Sequence, residues 1–203
     1  MISNLDPTPK LTFDEATHTY RLAGRAVPSV TQVIGAVLPG WQASQWHLER
    51  GSAVHLACRY LDEGRLDWST VDDQIIGRVR AWQKFRESFP STVIACEHSM
   101  ATPMYQFAGT VDRVLEHQDS PRVVADLKSS LTAQVRLQLA AYAILWGKRV
   151  NKAVGVELHD DGTFATLWMD EREINLCKRT FLAALSVYGF AATHKLIKEN
   201  RRD

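Results

Sequence analysis

Between residues 71 and 89 the apolar side chains Ile75, Val79, Trp82, Phe85 and Phe89 recur at steps of three and four, which predicts an amphipathic helix that Pro90 brings to an end. The period then changes. TVIACEHS (92–99), QFAGTVDRVLE (106–116) and RVVADLK (122–128) read as strands, the last two joined by HQDSP. After Ser-Ser-Leu-Thr a helical pattern returns over 133–148, then a hairpin, AVGVELH and TFATLWM around Asp160-Asp161-Gly162, then a long amphipathic helix from about Asp170. Upstream, residues 11–30 read as a β-hairpin turning at Ala23-Gly24. TQVIGAV makes a short helix capped by Ser29 or Thr31, and 44–62 is helical, interrupted or bent near Gly51, with His55 on its second half.

This order of helices, sheet with one inserted helix, and final helix predicts an α/β (α+β) sandwich: a mixed, mostly antiparallel central sheet flanked by helices. A chain of 203 residues that is 45% hydrophobic is long enough for one sizeable core. A single domain over 1–203 is therefore expected, with 1–50 as an N-terminal hairpin and helix extension.

Charge changes little. The formal net charge of +1 advertises no nucleic-acid partner, and it leaves room for a local basic groove. Cys58, Cys96 and Cys177 lie far apart with no C-x-x-C spacing, which argues against structural zinc, an iron–sulfur cluster or a disulfide framework and for a reducing cytoplasm. The N-terminal stretch lacks the apolar core of a secretory signal, and no uncharged run is long enough to span a bilayer, so no membrane partner is expected.

The candidate chemistry lies in VADLKSS. Strand alternation puts Val124, Asp126 and Lys128 on one face and Val123, Ala125 and Leu127 on the other. If HQDSP is a loop centred on Asp119, the register pairs Glu116 with Arg122, Asp112 with Asp126 and Thr110 with Lys128. Opposed residues have Cβ atoms about 5 Å apart, and like charges so placed destabilise unless something neutralises them. A divalent cation does so. Two acids and an amine around it suit phosphodiester hydrolysis, the lysine orienting a water or steadying developing charge. An incidental pair of surface acids stays open as the alternative, because a one-residue slip carries Asp112 to the other face.

Gln134, Gln138 and Tyr142 recur every four residues, a polar stripe on a helix rich in Leu and Ala that starts just after Lys128. It is either a solvent face or the rim of the site that Lys128 marks. Glu97 reads more simply as a surface glutamate than as support for a metal. His55, taken alone, reads as a packed or solvated residue.

Taken in order, Gly51-Ser52-Ala53-Val54-His55, Gly109-Thr110-Val111-Asp112, Asp126-Leu127-Lys128 and Gln138-x-x-x-Tyr142 resemble the PD-(D/E)XK nuclease superfamily and, within it, the RecB-like exonuclease subgroup. VPSVTQVI is similar to the opening of phage-encoded exonucleases and of the mitochondrial genome maintenance exonuclease. The resemblance runs from about residue 11 to residue 145. Val111 stands where the family's nominal proline would be, and the cysteines that hold an iron–sulfur cluster in some relatives are absent.

The resemblance implies a restriction-endonuclease-like core with Asp112, Asp126 and Lys128 as catalytic residues. His55, Asp112, Asp126 and the Leu127 carbonyl would hold Mg²⁺ or Mn²⁺, with no iron–sulfur cluster, and Gln138, Tyr142 and Gln134 would face DNA. It further implies a DNA exonuclease working from free ends in phage or prophage recombination, repair or genome processing, in the cytoplasm of a bacterial host and with a recombination protein as partner. Two other classes stay open: a nucleic-acid-binding or protein-interaction module with little or no cleavage, and a small-molecule phosphohydrolase.

Overall fold

The structure is a computed structural model that describes residues 10–38, 45–147 and 149–197. Strands β1 (Leu11–Asp14), β2 (Thr19–Leu22) and β3 (Arg25–Val27) form a small antiparallel sheet. Ala23 and Gly24, both at positive φ (49° and 79°), make the two-residue turn between β2 and β3. The helix α1 (Val30–Val37) follows, its first turn closed by a capping box between Ser29 and Gln32. The expected cap is therefore Ser29, not Thr31.

Helix α2 (Gln45–Asp62) runs through Gly51 without the expected break. A mid-helix glycine costs about 1 kcal/mol, and burial of Val54, Ala57 and Cys58 on the following turns offsets it. Helix α3 (Asp73–Ser88) starts on the Asp72 cap and buries Ile75, Val79, Trp82 and Phe85, as their spacing predicts. Among the described residues no helix is long and apolar enough to cross a membrane.

The central sheet has five strands in chain order, β4 (Thr92–Thr102), β5 (Phe107–His117), β6 (Ser120–Lys128), β7 (Lys152–Leu158) and β8 (Phe164–Asp170). Only β6 and β7 pair in parallel, with α4 (Ala133–Leu145) as the crossover between them. Helix α4 stops short of residue 148 because Gly147 takes φ 67°, a left-handed terminator. Helix α5 (Glu171–Thr193) begins on the Asp170 cap.

Alternation then sorts the core into two layers. Val114 and Val124 pack with α1, α4 and α5 on one face of the sheet. Leu115, Val123, Ala125 and Leu127 pack with α2 and α3 on the other. This is the expected α/β sandwich, mixed and mostly antiparallel. Helix α4 lies close on the sheet: a Cβ at Gly109 would come within 2.9 Å of Val30 and 3.1 Å of Tyr142, and one at Gly155 within 2.8 Å of Val135. Only glycine fits under those helices.

The β5–β6 connection is tighter than the sequence suggested. The strands reach His117 and Ser120, leaving Gln118 and Asp119 as the turn, and a one-residue shift between Leu115 and His117 absorbs the difference. Beyond it the ladder follows the anticipated register, with Leu115 opposite Val123 and Arg113 opposite Ala125. Arg122 and Glu116 pair at 2.7 Å.

Candidate functional site

The antiparallel pairing of β5 with β6 ends at Arg113 and Ala125, one rung before Asp112 would face Asp126. Asp112 Oδ2 instead accepts the backbone N–H of Leu127 at 2.7 Å. A side-chain acceptor takes the donor that a ladder carbonyl would have used, and the strands part there. Strand β6 continues on β7 alone, pairing Asp126 with Gly155 and Lys128 with Glu157. The anticipated Asp112–Asp126 and Thr110–Lys128 rungs are thus not made. Thr110 instead shares hydrogen bonds with Tyr20 and Ser99, each 2.7 Å long.

Where the strands part, the charges gather. Asp126 is fully buried, and Lys128 Nζ lies 2.5 Å from its Oδ2. Lys128 is the partner of that oxygen among the described residues, while Oδ1 receives a long contact of 3.5 Å from Gln138. Burial pushes the Asp126 carboxyl up to about 7, against the pull of the Lys128 charge and with a further push from Asp112. Burial works against the Lys128 ammonium as well, but Asp126 and Asp112 outweigh it and hold the amine above its ordinary range.

A second group approaches from α2 and β4. His55 Nδ1 lies 3.3 Å from Glu97 Oε1 and 3.6 Å from Asp112 Oδ1. One ligand atom from each of His55, Glu97 and Asp112 falls within 4.8 Å of the other two. The Asp112 charge pushes His55 up to about 9, with burial opposing and Glu97 adding to the rise. Glu97 is 28% exposed rather than a free surface residue, which corrects the simpler reading of it. Its φ of 45° is strained for a side-chain-bearing residue and sits between the rungs Cys96–Arg113 and His98–Val111, level with Asp112.

These residues can hold a divalent cation. Carboxylate oxygens and an imidazole nitrogen suit magnesium and the first-row metals, and His55, Glu97 and Asp112 each bring one such atom to the same place. Leu127, anticipated through its carbonyl, meets the site through its N–H to Asp112.

The glutamine stripe turns inward. Gln138 donates to the Tyr142 hydroxyl at 2.8 Å, and Tyr142 is only 4% exposed, its phenol pushed well above the ordinary range by burial and then by Asp126 and Asp112. Gln134 donates to the Leu38 carbonyl at 2.7 Å, at the end of α1. Sequence reasoning ranked Glu97 as the weaker candidate for metal support and passed over Arg113 and Asp62. The available signal was Arg113: alternation with Asp112 and Leu115 puts a guanidinium at a core position, where arginine is rare without a partner.

No family model matches the chain, and neither does any curated protein. Among solved structures the chain is similar to the complex of LHK-Exo with dAMP, at 14% identity and a TM-score of 0.42 over 84% of this chain and 95% of that one. It is also similar to the alkaline exonuclease LHK-Exo from Laribacter hongkongensis, at 14% identity and 0.40 over 83% and 94%. A third similarity is to SSO0001, at 15% identity and 0.33 over 85% and 86%.

Proposed function

We propose that the chain is a divalent-metal-dependent DNA exonuclease that hydrolyses phosphodiester bonds from DNA ends. One observation carries this reading: Asp112, Asp126 and Lys128 come together where β5 and β6 part, with His55 and Glu97 reaching the same place from α2 and β4. The ordered sequence elements that resemble the RecB-like nucleases support it, and they support a setting in phage recombination, repair or genome processing.

His55, Glu97, Asp112 and Asp126 would hold Mg²⁺ or Mn²⁺, which when bound polarises a phosphoryl oxygen and makes a nearby water more acidic. The chain's own groups do the rest. Lys128, kept as an ammonium by its two acidic neighbours, cannot take a proton, so it orients the attacking water or steadies negative charge growing on the phosphoryl oxygens. Leu127 N–H fixes Asp112, and Gln138 links Asp126 to Tyr142. Within the stripe, Gln138 is the member we assign to phosphate contact, being half-buried beside Asp126.

The preference for ends rests on residues 1–50, read as an extension of one domain. Tyr20 on the small sheet bonds Thr110 on β5, and Ser29 bridges to Ala108. This attachment beside the acids suits a cover that admits a strand end more readily than a continuous duplex.

The test compares labelled linear DNA, closed circular DNA and a simple nucleotide phosphodiester, each with Mg²⁺ or Mn²⁺ and with chelator. Linear DNA should shorten from its ends while circles persist, and chelator should stop the reaction. Rapid linearisation of circles would overturn the end preference. Hydrolysis of the small diester alone would favour the phosphohydrolase, and binding without cleavage would leave a DNA-binding module.

A further inference from the structure

Arg113 follows Asp112 on β5, and its side chain is fully buried. Nε donates to Asp62 Oδ2 at 2.6 Å, while Nη1 donates to Glu97 Oε1 at 2.9 Å and to the Asp112 carbonyl oxygen at 2.7 Å. Those acceptors lie on α2, β4 and β5, the three elements that carry His55, Glu97 and Asp112. Asp62 is seven residues beyond His55 and so on the same side of α2. From α3, Arg86 and Trp82 donate to the same Asp62 carboxylate. One guanidinium therefore ties together the three elements that carry His55, Glu97 and Asp112.

Stability alone explains this arrangement poorly. A buried ion pair adds little over well-packed apolar residues of the same volume. Arg113 Nη2 is moreover buried with no hydrogen-bond partner among the described residues, a cost that calls for a functional reason. Glu97 shows the reason. It sits on the edge strand β4 in a backbone conformation strained for a residue with a side chain, and its carboxylate is directed at His55 while Arg113 holds the same oxygen. Without that hold nothing described on β4 keeps Glu97 turned toward the site.

We propose that Arg113 is a positioning residue: acting through Glu97, it sets the affinity of the His55–Glu97–Asp112 group for a divalent cation. This rests on the cation-site reading given above.

The experiment is a calorimetric Mn²⁺ titration of the wild type, Arg113→Lys, Glu97→Gln and the double variant, below each variant's unfolding midpoint. Loss of a residue that orients a metal ligand weakens binding about 10–100-fold. Arg113→Lys should do so, and Glu97→Gln should do the same. The double variant should bind within about twofold of Glu97→Gln alone, because the second change acts through a carboxylate already lost. Unchanged Mn²⁺ affinity in folded Arg113→Lys, or an equal loss in both backgrounds, would overturn the proposal. If Arg113→Lys does not fold, Asp62→Asn, which slackens the guanidinium, takes its place in the same cycle under the same criteria. A wild type that binds no Mn²⁺ removes the cation site and this proposal together. One that binds Mn²⁺ but cleaves no DNA removes only the nuclease reading.

Discussion

The candidate site has two halves built by different rules. On the β5–β6 half, the side chains of Asp112 and Asp126 are buried, at 10% and 1% exposure, and lie on neighbouring strands joined by a two-residue turn. On the α2–β4 half, His55 and Glu97 are 31% and 28% exposed, and long-range contacts hold them: His55 to Glu97 across 42 residues, and Arg113 to Asp62 across 51. The first half is held by the strands themselves, Asp126 pairing with β7 and Asp112 taking the Leu127 N–H. The second is held by charges, and its position depends on how a helix docks against a strained edge strand. A site so divided can lose its second half by local rearrangement while the first stays in place.

The largest expected effect comes from the buried half. Asp126→Asn should lower Mg²⁺-dependent hydrolysis by about a thousandfold or more, at the upper end of what one preorganised charge contributes. The variant should still unfold in one cooperative transition, since burial disfavours the carboxylate that the amide replaces. Near-wild-type cleavage would mean that the two strands do not form the site. His55→Ala should cost less, about 10–100-fold in Mn²⁺ affinity and activity, as the imidazole is one donor among several. Calorimetry showing unchanged affinity, with activity retained, would return α2 to a packing role and leave the β5–β6 half to act alone.

pH separates the halves by another route. Asp126 is raised from an unfolded value near 4 to about 7, so the cation-free fold favours its protonated form and loses that contribution as pH rises from about 4 to 7. His55 is raised to about 9, so its contribution is complete below about 6.5 and is lost as pH climbs through 9. Both signs agree. Chelated protein should melt progressively lower as pH goes from 5 to 9, the buried half accounting for the first part of the fall and the α2 half for the second. Adding Mn²⁺ should restore the midpoint most at pH 8–9, where His55 releases its proton most readily. A melting temperature that rises over this range in chelator would contradict both assignments.

The same division governs what the sequence discloses. Alternation alone put Asp126 and Lys128 on one face of β6, because period-two patterning needs only neighbours in the chain. The helix read over 71–89 followed from periodicity in the same way, and the structure has it at Asp73–Ser88. Glu97 was ranked low because a positive φ in mid-strand breaks the alternation on which strand reading depends, and nothing in CEHS announces it. The failed Asp112–Asp126 rung has a similar origin. Register arithmetic assumes that backbone pairs with backbone, and here Asp112 takes the Leu127 N–H itself. Gly51 misled in the opposite direction: its low helix propensity is a local term, and packing of the following turns overrode it.

The smallest effects should appear on α4, and they test whether its polar stripe belongs to the buried half at all. Gln138 and Gln134 share a helix face, but Gln138 contacts Asp126 and the buried Tyr142 hydroxyl, whereas Gln134 contacts only the Leu38 carbonyl among the interactions described. Gln138→Ala leaves that hydroxyl without its donor in a buried place, which costs about 1–3 kcal/mol, so the melting temperature should drop by several degrees. Activity should fall as well, because the Gln138 contact to Asp126 Oδ1 is lost, and the drop should appear in kcat rather than in binding of the cation. Gln134→Ala removes one partly exposed bond to a helix end and should change stability by about 0.5 kcal/mol and cleavage not at all. If Gln134→Ala instead weakens DNA binding as much as Gln138→Ala does, the stripe meets the strand along its length, and the rim of the site extends from β6 to the end of α1.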